Sequence, residues 1–342
     1  MKINGKNYRT VWMEGTIIKT IEQNQLPEIF KIVDIIGDGA VISAIQTMVV
    51  RGAPAIGAMG AYGLAQAIQN LHQPTKKHIQ HLRDKIILAR PTAYDLEHGL
   101  NSVVVMALTG QTEDEIKKMA LVAAQEYADR SAEACRLIGE YGNALIKNGD
   151  RILTHCNAGA LATVDFGTAL SPIRAAHRYE KSIFVYVDET RPRLQGAKLT
   201  AFELYQEGID HAVIVDNAAG YFMARSEVDM VITGTDRVAA NGDVANKIGT
   251  YEKAVVAHEN NIPVYIAAPL STIDFSCPNG DTIPIEERDP DEVLSINGRR
   301  VASDGSPALN PAFDVTPAKY ITGIITEKGI YKPGELHLLK KQ

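Results

Sequence analysis

Apolar and polar positions follow different rhythms in the two halves of the chain. Residues 8–20, YRTVWMEGTIIKT, alternate and are rich in β-branched side chains, which predicts a small antiparallel unit turning at Gly15. From there to about residue 148 the apolar positions recur at helical spacing. Thr112 with Glu115 makes a capping box, and the helix it opens is expected to run to Lys147 and stop at Asn148-Gly149. After Asp150 the texture changes to short apolar runs separated by helical stretches: RILTH (151–155), SIFVYV (182–187), HAVIV (211–215), MVIT (230–233) and PVYIA (263–267). Repeated βαβ units produce this pattern, so the C-terminal half is expected to hold a parallel sheet with helices on both faces.

A length of 342 residues suits two domains. The expected division is a helical domain with a small antiparallel sheet over residues 1–125 and an α/β domain over 126–342, joined by the long helix at about 113–147. In an open parallel sheet, ligands bind beyond the carboxyl ends of the strands. Each run ends in polar or turn-forming residues: His155-Cys156-Asn157, Asp188-Glu189-Thr190-Arg191, Asp216-Asn217, Gly234-Thr235-Asp236-Arg237 and Pro269-Leu270-Ser271-Thr272. These should converge on one rim.

Composition narrows the chemistry. A net charge of -6 argues against a surface that gathers nucleic-acid phosphates. No apolar stretch reaches the length of a membrane span, and MKINGKNYRTV lacks an apolar signal core, so the expected location is the cytoplasm. Three cysteines without a CxxC spacing suggest neither a disulfide framework nor a zinc site. No GxGxxG follows a strand, so a dinucleotide cofactor is not supported, and no metal is expected.

Several residues remain as candidates for chemistry. Cys156 is either a buried small hydrophobe or a thiol at a strand's carboxyl end, where an ensuing helix start would favour the thiolate. His155, on the opposite face, reads as structural. Asp236 is either a capping or ion-paired carboxylate or an acid desolvated by neighbours such as Val231 and Val238. Asn246-Lys247 precedes a helix through Glu252 and Val256, a place where a lysine calls for an anionic partner or else is simply solvated. Arg51-Gly52-Ala53-Pro54 sets a guanidinium and two amides at a helix start, a cradle for phosphate. Gly57, Gly60 and Gly63 suit close helix packing. Arg90-Pro91-Thr92 repeats the arginine-before-proline arrangement, with a surface ion pair as the alternative. Residues 187–204 add Gln195 and further charges on a loop entering a helix.

Together RGAPAIG, ARPTA, THCNAGALAT, VDETRPRLQGAKLTAFEL, GTDRVAANGDVANKIGTY and VYIAAPLSTID resemble the methylthioribose-1-phosphate isomerase family, in the superfamily that includes the translation initiation factor 2B regulatory subunits. The resemblance runs from about residue 12 to 330. It implies a mostly helical N-terminal domain with a small antiparallel sheet, a C-terminal Rossmann-like domain and a homodimer. It also implies an aldose-ketose isomerase of methionine salvage that takes a sugar phosphate, 5-methylthioribose 1-phosphate, without a cofactor. The family's catalytic pair falls on Cys156 and Asp236, and its substrate-binding residues fall on Arg51, Gly52, Ala53, Arg90, Gln195, Asn246 and Lys247. Two departures from the family pattern stand out: Tyr94-Asp95 where Val-Asn is usual, and Thr235 where Ala is common. The first leaves room for a related substrate such as 5-deoxyribose 1-phosphate. A regulatory subunit that binds without turnover is the rival of another class, and those relatives lack the Cys and Asp pair.

Overall fold

In the computed structural model, which describes residues 1–91 and 93–341, the chain divides into two compact units. One comprises Met1–Leu137 with Gly159–Gly167, the other Ile138–Ala158 with Thr168–Gln342. This division falls inside the long helix, twelve residues beyond the expected one at 125/126. The segment that follows Cys156 also leaves the second unit to pack with the first.

The first unit begins with a minimal hairpin, β1 (Lys2–Ile3) and β2 (Lys6–Asn7), followed by a three-stranded antiparallel sheet of β3 (Val11–Glu14), β4 (Ile17–Ile21) and β5 (Ile32–Ile35) in that order. The β3–β4 pair turns at Gly15 as its alternation predicts, and β5 extends it. Five helices follow: α1 (Asp38–Gln46), α2 (Ala53–Gln69), α3 (Lys76–Ile87), α4 (Tyr94–Ala107) and α5 (Glu113–Asn143). Nearly all of α2 is buried, which its run of Ala and Gly permits. A β-carbon at Gly57, Gly60 or Gly63 would overlap Tyr127, Leu96 or Val41 respectively, so these glycines serve close packing. The capping box of α5 forms as expected, with Glu115 N donating to Thr112 Oγ1 at 3.3 Å and Thr112 N to Glu115 Oε2 at 3.1 Å. The helix ends four residues before Lys147, at Asn143.

The second unit is built on β6 (Arg151–Thr154), α6 (Leu170–Arg178), β7 (Phe184–Asp188), α7 (Ala201–Glu207), β8 (His211–Ile214), α8 (Ala218–Ala224), β9 (Met230–Thr233), β10 (Arg237–Ala239), β11 (Val244–Lys247), α9 (Thr250–Glu259), β12 (Val264–Ala267), β13 (Ile273–Asp274), α10 (Asp291–Leu294), β14 (Ser295–Ile296), β15 (Arg299–Arg300), β16 (Phe313–Thr316), β17 (Gly323–Thr326) and β18 (Gly329–Tyr331). All five apolar runs become strands of one seven-stranded sheet, ordered β18-β17-β12-β9-β6-β7-β8. Its pairings are parallel except that of β18 on β17. One apolar cluster around Leu153, Val231, Ile266 and Ile324, and another around Ile152, Val187, Ile232 and Ala267, make its core. This alternation along single strands is what burial of both sheet faces requires. The architecture is the α/β class expected, with the helical part and small antiparallel sheet in the N-terminal half. A second sheet, β13-β10-β11-β16, was not legible as strands. Among the described residues no helix is long and apolar enough to cross a membrane.

Candidate active site

The strand order fixes where a ligand would sit. The chain runs outward from β6 to β7 and β8, then returns to lay β9 on the other side of β6. That reversal is a topological switch point, where the crevice beyond the carboxyl ends of open α/β sheets lies. Cys156 follows β6 and Asp236 follows β9. Leu153 pairs with Val231, so the two connections leave neighbouring strands side by side. A β-carbon on Gly234 would overlap that of Ala158, so the connections also touch. Both Cys156 and Asp236 are half-buried.

Cys156 has a left-handed backbone, φ 65°, directly beyond the strand. A non-glycine residue rarely adopts this conformation. Its amide donates to Thr190 Oγ1 at 2.8 Å, and its carbonyl accepts from Thr200 Oγ1 at 2.7 Å. The helix expected to start just after it does not form there: residues 159–167 are a loop with one short 3-10 turn, and α6 begins only at Leu170. Tertiary bonds override the local preference. Thr10 N donates to Val164 O, Thr10 Oγ1 to Ala160 O and Gln23 Nε2 to Leu161 O, which pins the loop against the N-terminal sheet and its flank. The start of α6 therefore does not follow directly on the thiol.

His155 is buried, as its position on the opposite face predicted, and holds a polar network together. Its Nε2 lies 2.8 Å from Ile248 O and its Nδ1 lies 2.8 Å from Asp188 Oδ2. A carbonyl only accepts, so Nε2 carries a proton and a second proton is shared between Nδ1 and Asp188. The Lys253 ammonium stands 3.6 Å from the same carboxylate oxygen. Burial pushes the Asp188 carboxyl above its ordinary range, against the pull of His155 and Lys253. Among the described residues His155, Asp188 and Asp216 come closest to a metal-ligand set. Most of their donor atoms are engaged, Asp216 accepting from the amides of Thr190 and Arg191 at 2.7 Å each, while Asp188 Oδ1 is buried without a hydrogen-bond partner among the described residues.

An antiparallel ribbon brings Asp236 beside the Asn-Lys pair. Arg237 pairs with Ala245, and Asp236 N donates to Ala245 O at 3.0 Å. Thr235, one of the departures from the family pattern, sets its hydroxyl 2.8 Å from Ala245 O and so adds to the ribbon. Asn246 and Lys247 end β11 and are both buried. Asn246 Nδ2 donates to Thr250 Oγ1 at 2.9 Å, while the Lys247 ammonium donates to Ala312 O at 2.8 Å and lies 4.7 Å from the centre of the Phe313 ring. Gln195 is buried too, and its Oε1 has no hydrogen-bond partner among the described residues.

The remaining candidates belong to the first unit. Arg51 is buried and precedes Gly52, the N-cap of α2, with Ala53 the first helical residue and Pro54 in the first turn. Gly52 has φ 92°, and a β-carbon there would overlap the backbone of Ala162. Arg90 follows α3, its amide donating to Ile87 O at 3.2 Å. Thr92 of the same motif lies outside the described residues. Tyr94 and Asp95 start α4, with Asp95 buried at 1% exposure.

A helical part with small antiparallel sheets, joined to a large and mostly parallel sheet, is the architecture of a known class. The model of the Initiation factor 2 subunit family matches residues 49–333, and the chain belongs to that family. Within it, the chain is similar to proteins named methylthioribose-1-phosphate isomerase. The relative from Acetivibrio thermocellus is 50% identical over 331 residues, covering 95% of this chain and 97% of its own, and that from Roseiflexus sp. is 48% identical over 335 residues, covering 95% of each. Among solved structures, 5-methylthioribose 1-phosphate isomerase from Pyrococcus horikoshii aligns with a TM-score of 0.90 at 43% identity, covering 98% of this chain and 96% of that one. The translation initiation factor eIF-2B subunit delta from A. fulgidus aligns at 0.87 and 39%, covering 98% and 100%.

Proposed function

We propose that this enzyme converts 5-methylthioribose 1-phosphate to 5-methylthioribulose 1-phosphate, with Cys156 and Asp236 as its acid/base pair. The observation that carries the reading is their position after β6 and β9, the two strands that flank the switch point. The similarity to isomerases over almost the full chain supports the substrate.

The reaction demands two groups in opposite protonation states. A phosphate on C1 blocks simple hemiacetal opening, so the C1–O4 bond breaks only as O4 gains a proton. Asp236 supplies that proton. The hydrogen on C2 must reach C1, and the C2 hydroxyl must lose its proton as the ketone forms, to the carboxylate that Asp236 has become. If the C2 hydrogen leaves as a proton, the Cys156 thiolate takes it, and an enol intermediate is then protonated at C1. If it moves as hydride, Cys156 stabilises the charge that develops at C2. Val231 and Val238, on the strands that precede and follow Asp236, are both buried in the apolar cluster of the sheet, and an apolar setting strengthens the interactions of charge.

Arg51, the amides of Gly52 and Ala53, and Arg90 are assigned to the phosphate, and Gln195, Asn246 and Lys247 to the sugar and its anion. Binding the non-reacting phosphate positions C1 and C2 and supplies energy away from the reacting atoms. The working form is a homodimer in the cytoplasm. Isomerisation in D2O followed by NMR separates the two paths: deuterium on C1 of the product would exclude a strict hydride shift, and its complete absence would exclude exchange through a solvent-accessible thiol. Assaying 5-deoxyribose 1-phosphate in parallel tests the 5-substituent, since α4 places Tyr94 and Asp95 where the family pattern differs.

A further inference from the structure

We infer that Thr190 and Thr200 are positioning residues that hold Cys156 in its left-handed conformation and thereby aim the thiol, an inference resting on the reading of Cys156 as a catalytic group. A non-glycine residue in this conformation persists only where its surroundings over-determine it. Here two hydroxyls do so, one on each side of the same residue. Thr190 donates its single proton to Asp188 O at 3.0 Å, leaving its lone pairs to accept the Cys156 amide. Thr200 donates to the Cys156 carbonyl and accepts from Asn157 Nδ2 at 3.1 Å. Every proton in the clamp is thus directed, and both threonines are fully buried.

The clamp is anchored from behind. Asn157 Nδ2 also donates to Glu203 Oε1 at 2.8 Å, and the other oxygen of Glu203 accepts from Arg174 Nη2 at 2.6 Å. Arg174 Nε in turn reaches Glu207 Oε2 at 2.8 Å. Thr200 itself closes a π-helical turn, Gly196–Thr200, a widened turn found often at functional positions. That turn packs against the end of β7 so closely that a β-carbon on Gly196 would collide with Asp188 O. A sharp, strained turn after a strand presents the next side chain at the sheet's rim, as nucleophile turns do in other α/β enzymes.

The test compares wild type, Thr200→Val, Thr190→Val, Thr200→Ser and Cys156→Ser as full-length proteins acting on 5-methylthioribose 1-phosphate. Valine keeps the shape and removes the hydroxyl. Misplacing a reacting group by about 1 Å costs on the order of 100-fold in rate, so each valine variant is expected to lose about 30- to 100-fold in kcat with KM within about threefold, and Thr200→Ser to return to within about threefold of wild type. A purely structural role would lower the folded fraction without splitting kcat from KM or showing rescue by serine. Folded valine variants with kcat within about twofold of wild type, beside an inactive Cys156→Ser, would overturn the clamp while leaving the catalytic thiol standing. A fully active Cys156→Ser would instead remove the reading on which the clamp rests. Should Thr200→Val fail to fold, Thr190→Val carries the same comparison.

Discussion

Asp236 gives the sharpest prediction at the scale of single residues. As general acid it is worth about 100- to 10,000-fold, so Asp236→Asn is expected to lower kcat by that range with little change in KM, measured by steady-state kinetics. A variant with unchanged kcat would remove it from the reaction. Gly52 tests the N-terminus of α2. Its φ of 92° and the Ala162 backbone against it leave no room for alanine, and the combined strain and overpacking should cost about 2–4 kcal/mol. Thermal melting of Gly52→Ala checks this, and melting at the wild-type temperature would contradict it. The residues that carry these predictions were legible because they stand at strand ends or helix starts, where polar side chains have few structural duties. The threonine clamp was not legible. Hydroxyls are common in any sequence, and only the folded chain shows that residues 156, 190 and 200 share one set of hydrogen bonds.

Elements show where local preference loses to tertiary context. The run after Cys156 is rich in helix-forming alanines, yet it is a loop because its carbonyls are taken by Thr10 and Gln23. The β10–β11 ribbon was missed for the converse reason: its strands, RVA and VANK, are broken by charged and polar side chains and make no continuous apolar run, although Asn241-Gly242 between them is a hairpin signal. The five strands of the parallel sheet were read correctly because burial on both faces makes them near-continuous apolar runs. The packing of α6 against α7 rests in part on Arg174, buried between Glu203 and Glu207, whose charges hold the guanidinium above its ordinary range despite its desolvation. Removing one partner of a buried pair leaves an uncompensated charge and costs about 3–5 kcal/mol. Glu203→Leu is accordingly expected to lose that much in urea unfolding, and a loss below about 1 kcal/mol would show that Glu207 alone satisfies Arg174.

Acid stability and catalysis are properties of the whole molecule. Burial alone would raise the Glu292 carboxyl, but hydrogen bonds and charge from Arg288, reinforced by Arg193 and Asn310, hold it down at about 2. A depressed folded value means that the stabilisation is complete above the unfolded value of 4.5 and is lost as pH falls toward about 2. Stability against urea is therefore expected to fall between about pH 5 and pH 2 more steeply in wild type than in Glu292→Gln, and equal slopes would refute the assignment. The order of the strands, and hence the switch point, could not be read from apolar runs alone, because periodicity finds strands without saying which are neighbours. That order sets the thiol and the carboxyl on adjacent connections, and the account stands on this placement. The most direct test is to follow 5-methylthioribose 1-phosphate by NMR with the purified chain as sole protein, beside Cys156→Ser. The account predicts appearance of the 1-phosphorylated ketose with wild type and a loss of at least about 100-fold with the variant. An inert wild-type protein, or a variant that turns over at the wild-type rate, would contradict it.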